Sequence, residues 1–121
     1  MFDAGALIAL ERADRRLANI VGRLDERSVS IIVPTTALAQ VLRDRSRQVV
    51  LNRLLRNPST VTVELDQTGA IRVGELLRRA GTTDVVDAHV VLCGLERRQA
   101  IVTSDPDDLR RLDPAVRLIE V

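Results

Sequence analysis

The stretch SVSIIVPTTALAQVLRD, residues 28–44, contains a strand and a helix with no linker between them. Its apolar run is rich in β-branched residues and predicts a buried strand that Pro34 ends. The next residues, TTALAQVLRD, predict a helix that begins at Thr35 or Thr36. A strand that leads directly into a helix is typical of α/β folds, in which this unit is repeated along the chain.

The alternation of strand and helix continues on both sides of this stretch. A very short first strand ends at Asp3, and it is followed by AGALIAL and by a helix with apolar residues at helical spacing. The later strands are predicted over residues 59–65, 100–104 and 116–121, and the later helices over residues 47–56, 67–80, 84–98 and 105–112. This pattern predicts an α/β fold with a mostly parallel central sheet and helices on both faces, in one domain over residues 1–121.

The composition is that of a globular protein with almost no aromatic side chains. Hydrophobic residues make up 45% of the chain, and the charged residues are mixed in sign, with a net charge of +1. Phe2 is the only aromatic residue, which excludes a nucleic-acid surface built from stacked aromatic rings. All 18 basic residues are arginines, which suit phosphate contacts, although codon usage in a GC-rich genome and solvated helix faces also explain them.

Cysteine content and hydropathy indicate the compartment. The single cysteine, Cys93, lies in an apolar helical run, so it cannot form a disulfide within the chain and is expected to pack as a small hydrophobic residue. No apolar segment approaches the roughly 18 residues that a membrane span requires, and no signal peptide is visible. These features predict a cytoplasmic protein that has no membrane partner.

The segment TTDVVDAHVV, residues 82–91, carries two aspartates at the beginning of an apolar helix. Asp84 follows two threonines and is suited to cap the free amides of the first turn. Asp87 has no such local role, and it lies on the same helix face as Asp84, where the two negative charges repel each other. A cation bound nearby would relieve this repulsion.

Other polar residues are expected to lie close to this helix. Polar residues directly follow three of the predicted strands, and these residues are Asp3, Thr35, Thr36, Ser104 and Asp105. The carboxyl ends of parallel strands meet at one edge of a sheet, where α/β folds hold their sites. We therefore expect these sequence-distant groups to converge at that edge.

The carboxylates expected at this edge favour a divalent metal ion. They are Asp3, Asp84, Asp87 and Asp105, with Asp107 and Asp108 close in sequence. Grouped carboxylates are unfavourable unless they are protonated or bound to a cation, and oxygen ligands favour Mg²⁺ or Mn²⁺. The lone His89 is expected to be a packed or surface residue, so zinc is not indicated. Because no phosphate-binding glycine loop and no nucleophile paired with a base is present, we predict metal-assisted phosphoryl chemistry.

Four segments of this chain resemble the PIN domains, and specifically the VapC-type ribonuclease toxins of toxin–antitoxin pairs. In chain order they are FDAGALIAL, VPTTALAQVLRD, TTDVVDAHVVL and IVTSDPDDL, and together they extend over essentially the whole chain. The resemblance implies a PIN-like α/β fold and an endoribonuclease that hydrolyses RNA with a water activated by Mg²⁺ or Mn²⁺. It implies catalytic roles for four residues, Asp3, Asp84, Asp87 and Asp105. Asp3, Asp87 and Asp105 are the implied metal ligands, and Asp108 is a further acid of the site.

The resemblance also implies supporting groups and partners. Thr36, Thr103 and Ser104 are expected to hydrogen-bond a ligand oxygen or the phosphate. Arginines at the edge of the site are expected to hold the RNA backbone without reading its sequence. The expected partners are the RNA substrate, a cognate antitoxin protein and a second copy of the domain.

The chain departs from the family at Gln40, where the family usually has a glutamate. An amide keeps an oxygen acceptor and brings no charge, so the site is expected to bind metal less tightly, with one ion in place of two. Asp44, one turn further along, is flanked by two arginines and is expected to lie on a solvated face. The alternative function is therefore a weak or inactive PIN domain that binds protein or RNA.

Two other interpretations use the same residues. In the first, Asp84 and Asp105 cap helices, Asp3 lies in a turn, and the domain is a binding module, although caps leave Asp87 unexplained. In the second, the chain is a receiver-like signalling domain, which needs a phosphoacceptor in mid-chain and a late basic residue, whereas lysine is absent here. Binding of a divalent ion distinguishes an active PIN domain from an inactive one.

Overall fold

The computed structural model describes residues 1–121, in which helices and strands alternate. The strands are β1 (Ile31–Pro34), β2 (Thr60–Val63), β3 (Ile101–Thr103) and β4 (Leu118–Glu120). The helices are α1 (Ala4–Glu11), α2 (Arg15–Glu26), α3 (Thr35–Val41), α4 (Val49–Arg56), α5 (Gln67–Ala80), α6 (Val85–Arg97) and α7 (Pro106–Leu112). A helix follows each of the first three strands within a few residues, so the predicted repetition of strand and helix is confirmed.

The strands form one parallel sheet because the N-terminal segment, residues 1–3, joins two strand pairs. β1 pairs in parallel with β2, and β3 pairs in parallel with β4. Between these pairs, the Phe2 amide donates to the Ile32 carbonyl at 3.0 Å, and the Val102 amide donates to the Met1 carbonyl at 2.8 Å. The sheet order is therefore β2, β1, the N-terminal segment, β3 and β4, which confirms the very short first strand.

This strand order has a topological switch point between the N-terminal segment and β3. The chain proceeds from the N-terminal segment outward through β1 to β2, then crosses to β3 and continues outward to β4. Right-handed crossovers that run in opposite directions place helices on both faces of the sheet, as predicted. Sheets of this kind bind ligands beside the switch point, at the carboxyl ends of the strands, which here means Asp3 and the residues after Thr103.

The core is built almost entirely from aliphatic side chains. The buried apolar residues form one cluster, in which Phe2 is the only aromatic residue and is fully buried. Cys93 is also buried, so its predicted role as a small hydrophobic residue is confirmed. No helix of the fold is both long and apolar enough to cross a membrane. Because Phe2 is fixed within the core, its neighbour Asp3 has a defined place at the sheet edge.

The helix after β1 is shorter than the sequence predicted. The prediction extended it to Asp44, whereas α3 ends at Val41 and no helix covers residues 42–48. Polar side chains bind the backbone there, since the Gln48 side-chain amide donates to the Val41 carbonyl and the Arg43 backbone amide donates to the Gln48 side chain. These bonds replace the next helical hydrogen bonds, and α4 begins two residues later than predicted.

Candidate active site

The carboxyl edge of the sheet brings Asp3 next to the residues that follow β3. Asp3 caps α1 by accepting a hydrogen bond from the Ala6 amide at 2.7 Å, and it is only 4% exposed. The side chain of Thr103, at the end of β3, lies close to the Asp3 carboxyl and acts to lower its pKa. The Thr103 hydroxyl also accepts a hydrogen bond from the Asp105 amide at 2.9 Å. Thr103 therefore lies beside Asp3 and holds the backbone of Asp105.

Asp84 and Asp87 lie at the beginning of α6 and have different bonding. Asp84 is the N-cap, and its carboxylate accepts a hydrogen bond from the Asp87 amide at 3.0 Å. The Asp87 carboxylate is half-buried and makes no hydrogen bond within the chain. The predicted cap at Asp84 is confirmed, and Asp87 is the acidic residue that local structure does not explain.

Electrostatic repulsion identifies the acidic residues that lie close together. Burial, and then the negative charges of its neighbours, raise the pKa of Asp87 from 3.8 to about 6. These neighbours are Asp84, Asp3, Asp108 and Asp105, and together with Asp87 we call them the acidic cluster. Burial also raises the pKa of Asp3, with a smaller contribution from the charge of Asp105. Asp107 stands outside the cluster, because it is exposed and forms an ion pair with Arg110 at 3.6 Å.

Gly5 lets two of these carboxylates and the Ser104 hydroxyl approach the backbone of α1. It lies in the first turn of α1, where a Cβ atom would stand 3.5 Å from Asp3 Oδ1 and 3.6 Å from Asp105 Oδ2. The same Cβ atom would be only 2.5 Å from Ser104 Oγ, which is closer than such atoms approach each other. The lack of a side chain at Gly5 therefore makes room for the Ser104 hydroxyl beside two carboxylates.

The donor set fits a hard divalent cation. Every member of the acidic cluster offers carboxylate oxygens, which are the ligands that Mg²⁺ and Mn²⁺ prefer. A bound cation would offset the repulsion that raises the pKa of Asp87. In this arrangement no three acidic side chains converge closely enough to enclose an ion. The Asp87 and Asp105 side chains make no capping hydrogen bond at their helices, so local structure does not hold them in place.

Comparison with known protein families agrees with this geometry. The PIN domain family matches residues 1–114 of the chain. The chain belongs to the PIN domain family. PIN domains are generally nucleases that use divalent metal ions. No curated protein matches the chain significantly.

The remaining predicted residues of this PIN domain differ in what they contact. The Ser104 hydroxyl lies 3.4 Å from Asp105 Oδ2, next to the acidic cluster. Thr36 Oγ1 lies instead 2.6 Å from Nδ1 of His89, which is 2% exposed. The sequence predicted that His89 is either packed or on the surface, and the structure shows that it is packed. Burial lowers the pKa of His89, which favours the neutral ring. Gln40 is exposed on α3, and its side-chain amide makes no hydrogen bond.

Sequence reasoning missed three residues of this PIN domain that border the acidic cluster, namely Gly5, Arg12 and Arg111. Arg111 follows Asp108 by three residues in α7, and this spacing places the two on one helix face, so a signal was present. Gly5 and Arg12 carry no such signal. Their position depends on how α1 packs against the residues after β3, which are distant in sequence.

Replacing Asp87 by asparagine is expected to stabilise the metal-free protein near neutral pH. Folding raises the pKa of Asp87 from 3.8 to about 6, so between these values the folded chain keeps a proton that the unfolded chain has lost. Stability therefore falls as the pH rises through this window. Because Asp87 is half-buried and partly screened by solvent, Asp87→Asn should gain on the order of 1 kcal/mol, or a few degrees in Tm, in melts with chelator at about pH 7.5.

Two controls distinguish a repelled carboxylate from a structural one. Near pH 3 to 4, which is roughly at and below the ordinary pKa of an aspartate, 3.8, wild type and Asp87→Asn should melt at nearly the same temperature, because the carboxyl is protonated in the folded chain. Asp107→Asn removes an exposed carboxylate outside the cluster and should not raise the Tm at either pH. A lower Tm for Asp87→Asn at neutral pH would show that Asp87 makes a structural hydrogen bond.

Placing a methyl group at Gly5 is expected to weaken metal binding while the fold is retained. The new side chain of Gly5→Ala would occupy the space between Asp3 and Asp105, and the exposed Ser104 side chain must rotate to admit it. We expect a Kd for Mg²⁺ or Mn²⁺ about tenfold higher by calorimetry, with a free energy of unfolding within about 1 kcal/mol of wild type.

Gly74→Ala is the matched control for this experiment. A Cβ atom at Gly74, in α5, would meet no atom within 4 Å, so this variant makes the same chemical change away from the site. It should leave the Kd unchanged and stabilise the helix by about 1 kcal/mol. Equal dissociation constants for Gly5→Ala and wild type would mean that the space at Gly5 is not used by the metal.

Proposed function

We propose that this PIN domain is a Mg²⁺- or Mn²⁺-dependent endoribonuclease that acts as the toxin of a toxin–antitoxin pair. The observation that carries the proposal is the acidic cluster at the switch point of the sheet, where the lack of a side chain at Gly5 lets Asp3 and Asp105 lie beside the same turn of α1. Membership of a family that generally consists of metal-dependent nucleases supports the hydrolase activity. The resemblance of four segments to VapC-type toxins supports RNA as the substrate and the toxin role.

Asp3, Asp87 and Asp105 are the proposed metal ligands. When bound there, Mg²⁺ or Mn²⁺ would activate a water for attack on the scissile phosphorus and offset negative charge on the leaving oxygen. A hydrogen bond from the Ala6 amide holds the Asp3 carboxylate, so this residue sets the position of the site. Asp87 and Asp105 lack such bonds at their helices, so they adjust to the bound group.

Neighbouring polar groups would assist these ligands. One oxygen of Asp84 accepts the Asp87 amide, and its other oxygen is free to accept a proton from the attacking water. The exposed Ser104 hydroxyl donates a long hydrogen bond of 3.4 Å to Asp105, and it would turn from this carboxylate to donate to a phosphate oxygen. Asp108 adds a negative charge beside Asp87, which strengthens the attraction of the cluster for a cation.

The proposal includes a location and two protein partners. We infer that the toxin acts in the cytoplasm, that a cognate antitoxin protein blocks its site, and that the domain pairs with a second copy. These parts rest on the resemblance to VapC-type toxins, in which the antitoxin covers the groove that would receive RNA.

The proposal predicts that Asp87→Asn abolishes metal-dependent RNA cleavage. The substitution keeps the size of the side chain and removes a charged ligand, so kcat/KM should fall by at least about a hundredfold. The assay uses purified protein and a labelled RNA with exposed loops, in Mg²⁺, in Mn²⁺ and in chelator. Circular dichroism should show an unchanged fold.

Asp107→Asn is the matched control for the cleavage assay. It removes a carboxylate from an adjacent part of the same surface but leaves the acidic cluster intact, so cleavage should stay within about twofold of wild type. If Asp87→Asn retained full activity, in preparations that show none in chelator, the assignment of Asp87 as a ligand would be wrong.

A second candidate function is an inactive PIN domain that binds protein or RNA, and Gln40 is the observation that favours it. Gln40 offers an uncharged oxygen where the family usually has a glutamate. Asp44 does not replace that charge, because it lies in a turn beyond α3, exposed and 3.6 Å from Arg47. A site with fewer charged ligands binds metal more weakly.

Restoring the charge at residue 40 is expected to tighten metal binding. Gln40→Glu adds a charged oxygen donor, so calorimetry should show a Kd for Mg²⁺ or Mn²⁺ about tenfold lower than that of wild type. Gln99→Glu, which makes the same change before β3 at the opposite edge of the sheet, should have no effect. An unchanged Kd for Gln40→Glu would place this residue outside the ligand sphere, and no binding by wild type would favour the inactive domain.

A further inference from the structure

Two surface cavities border the acidic cluster, and they share no residue. The first, of about 450 Å³, contains Arg12 and reaches Ser104 and Asp105, and it is also lined by Asp14, whose carboxylate caps α2. The second, of about 210 Å³, contains Arg111 and reaches Asp84, Asp87 and Asp108. One arginine therefore lies on the Asp105 side of the cluster and another on the α6 side.

Neither arginine forms an ion pair, although carboxylates share the cavity of each. The ion pairs of the structure involve Arg47, Arg72 and Arg110, and neither Arg12 nor Arg111 takes part in one. Both side chains are exposed and make no hydrogen bond within the chain. A guanidinium group left free at the edge of a carboxylate site is available for an anion, and its planar fork matches the oxygens of a phosphate.

The walls of the Arg12 cavity are suited to a nucleobase of the RNA. Gly5, Ile8 and Ala9 of α1 form an aliphatic side, on which Ile8 is 38% exposed although it is a large apolar residue. The volume of this cavity lies within the range of sites that take small organic groups. Because the only aromatic residue, Phe2, is buried in the core, a base would pack against Ile8 instead of stacking on a ring.

A short, hydrogen-bonded turn sets the position of Arg12. The amides of Arg12 and Asp14 donate to the Ile8 and Ala9 carbonyls, each at 3.0 Å, so the end of α1 is closed. Between them, Ala13 has a φ of 61°, a conformation that costs a residue with a side chain about 1 kcal/mol or more. The turn therefore holds Arg12 at the rim of the cavity in a defined position.

We propose that RNA crosses the acidic cluster as a single strand, with Arg12 and Arg111 bound to backbone phosphates on either side and one base in the Arg12 cavity. A base in a duplex would have to leave its stack to enter this cavity, so the geometry favours an unpaired strand. The inference rests on the proposed function, because it takes the scissile phosphate to lie at the acidic cluster. It assigns two binding residues and one base-binding subsite to that function.

The test measures binding without cleavage. Fluorescence anisotropy of a labelled single-stranded oligoribonucleotide, in chelator and at several salt concentrations, compares wild type with Arg12→Gln, Arg111→Gln and Arg27→Gln. Arg27 ends α2 before β1, at the opposite edge of the sheet, and is the matched control. We expect each of the first two variants to weaken binding about tenfold and to reduce the salt slope by about 0.7, while Arg27→Gln changes neither.

A second arm tests the base-binding subsite. Ile8→Ser should weaken the binding of the oligoribonucleotide severalfold but leave unchanged the binding of an abasic strand of equal length, which keeps the phosphates and lacks the bases. If Ile8→Ser lost the same affinity for both strands, the proposed base-binding subsite would be wrong. The proposed path of the strand would be wrong if Arg12→Gln bound the oligoribonucleotide as tightly as Arg27→Gln does. It would also be wrong if wild type did not bind the oligoribonucleotide.

The two proposals fail in different ways. If wild type cleaves RNA with Mg²⁺ or Mn²⁺ and Arg12→Gln binds normally, the nuclease function stands and the path of the strand is wrong. If wild type cleaves no RNA with either metal but loses affinity on Arg12→Gln and Arg111→Gln, the strand path stands and the nuclease function is wrong.

Discussion

The backbone hydrogen bonds that hold the N-terminal segment between β1 and β3 are the constraint on which the rest of the structure depends. Without them the sheet would be two separate pairs, each too small to be stable alone. The burial of Phe2 holds the segment in place, and the next residue, Asp3, then has to lie at the carboxyl edge. The same pairing sets Asp3 beside Thr103, so the bonds that close the sheet also build the site.

The acidic cluster opposes the stability that this pairing provides. Asp3 and Asp84 each accept a backbone amide at the beginning of a helix, so their charges contribute to local structure. Asp87 has no such bond, and burial together with four like charges raises its pKa to about 6. A charge that destabilises the fold and lies beside an open space is typical of a functional group, because packing alone would favour an uncharged side chain there.

The sequence predicted those features that depend on local pattern. The order of elements, the cap at Asp84 and the burial of Cys93 follow from periodicity, capping preference and hydropathy, and all were confirmed. The end of α3 was predicted wrongly, because Gln48 binds the Val41 carbonyl from seven residues away. The bond between Thr36 and the packed His89 joins residues 53 apart in sequence, so only the tertiary fold creates it.

The unpaired charges at the site complement one another. Arg111 shares a cavity with Asp84, Asp87 and Asp108, yet it forms no ion pair with them. An exposed pair of this kind gains little, because water screens its attraction and the side chains lose freedom. The cluster therefore keeps its negative charge for a cation, and the arginine keeps its positive charge for an anion. A metal ion and a phosphate bound together neutralise both, so in the proposed function each ligand raises the affinity for the other, and the coupling is reciprocal.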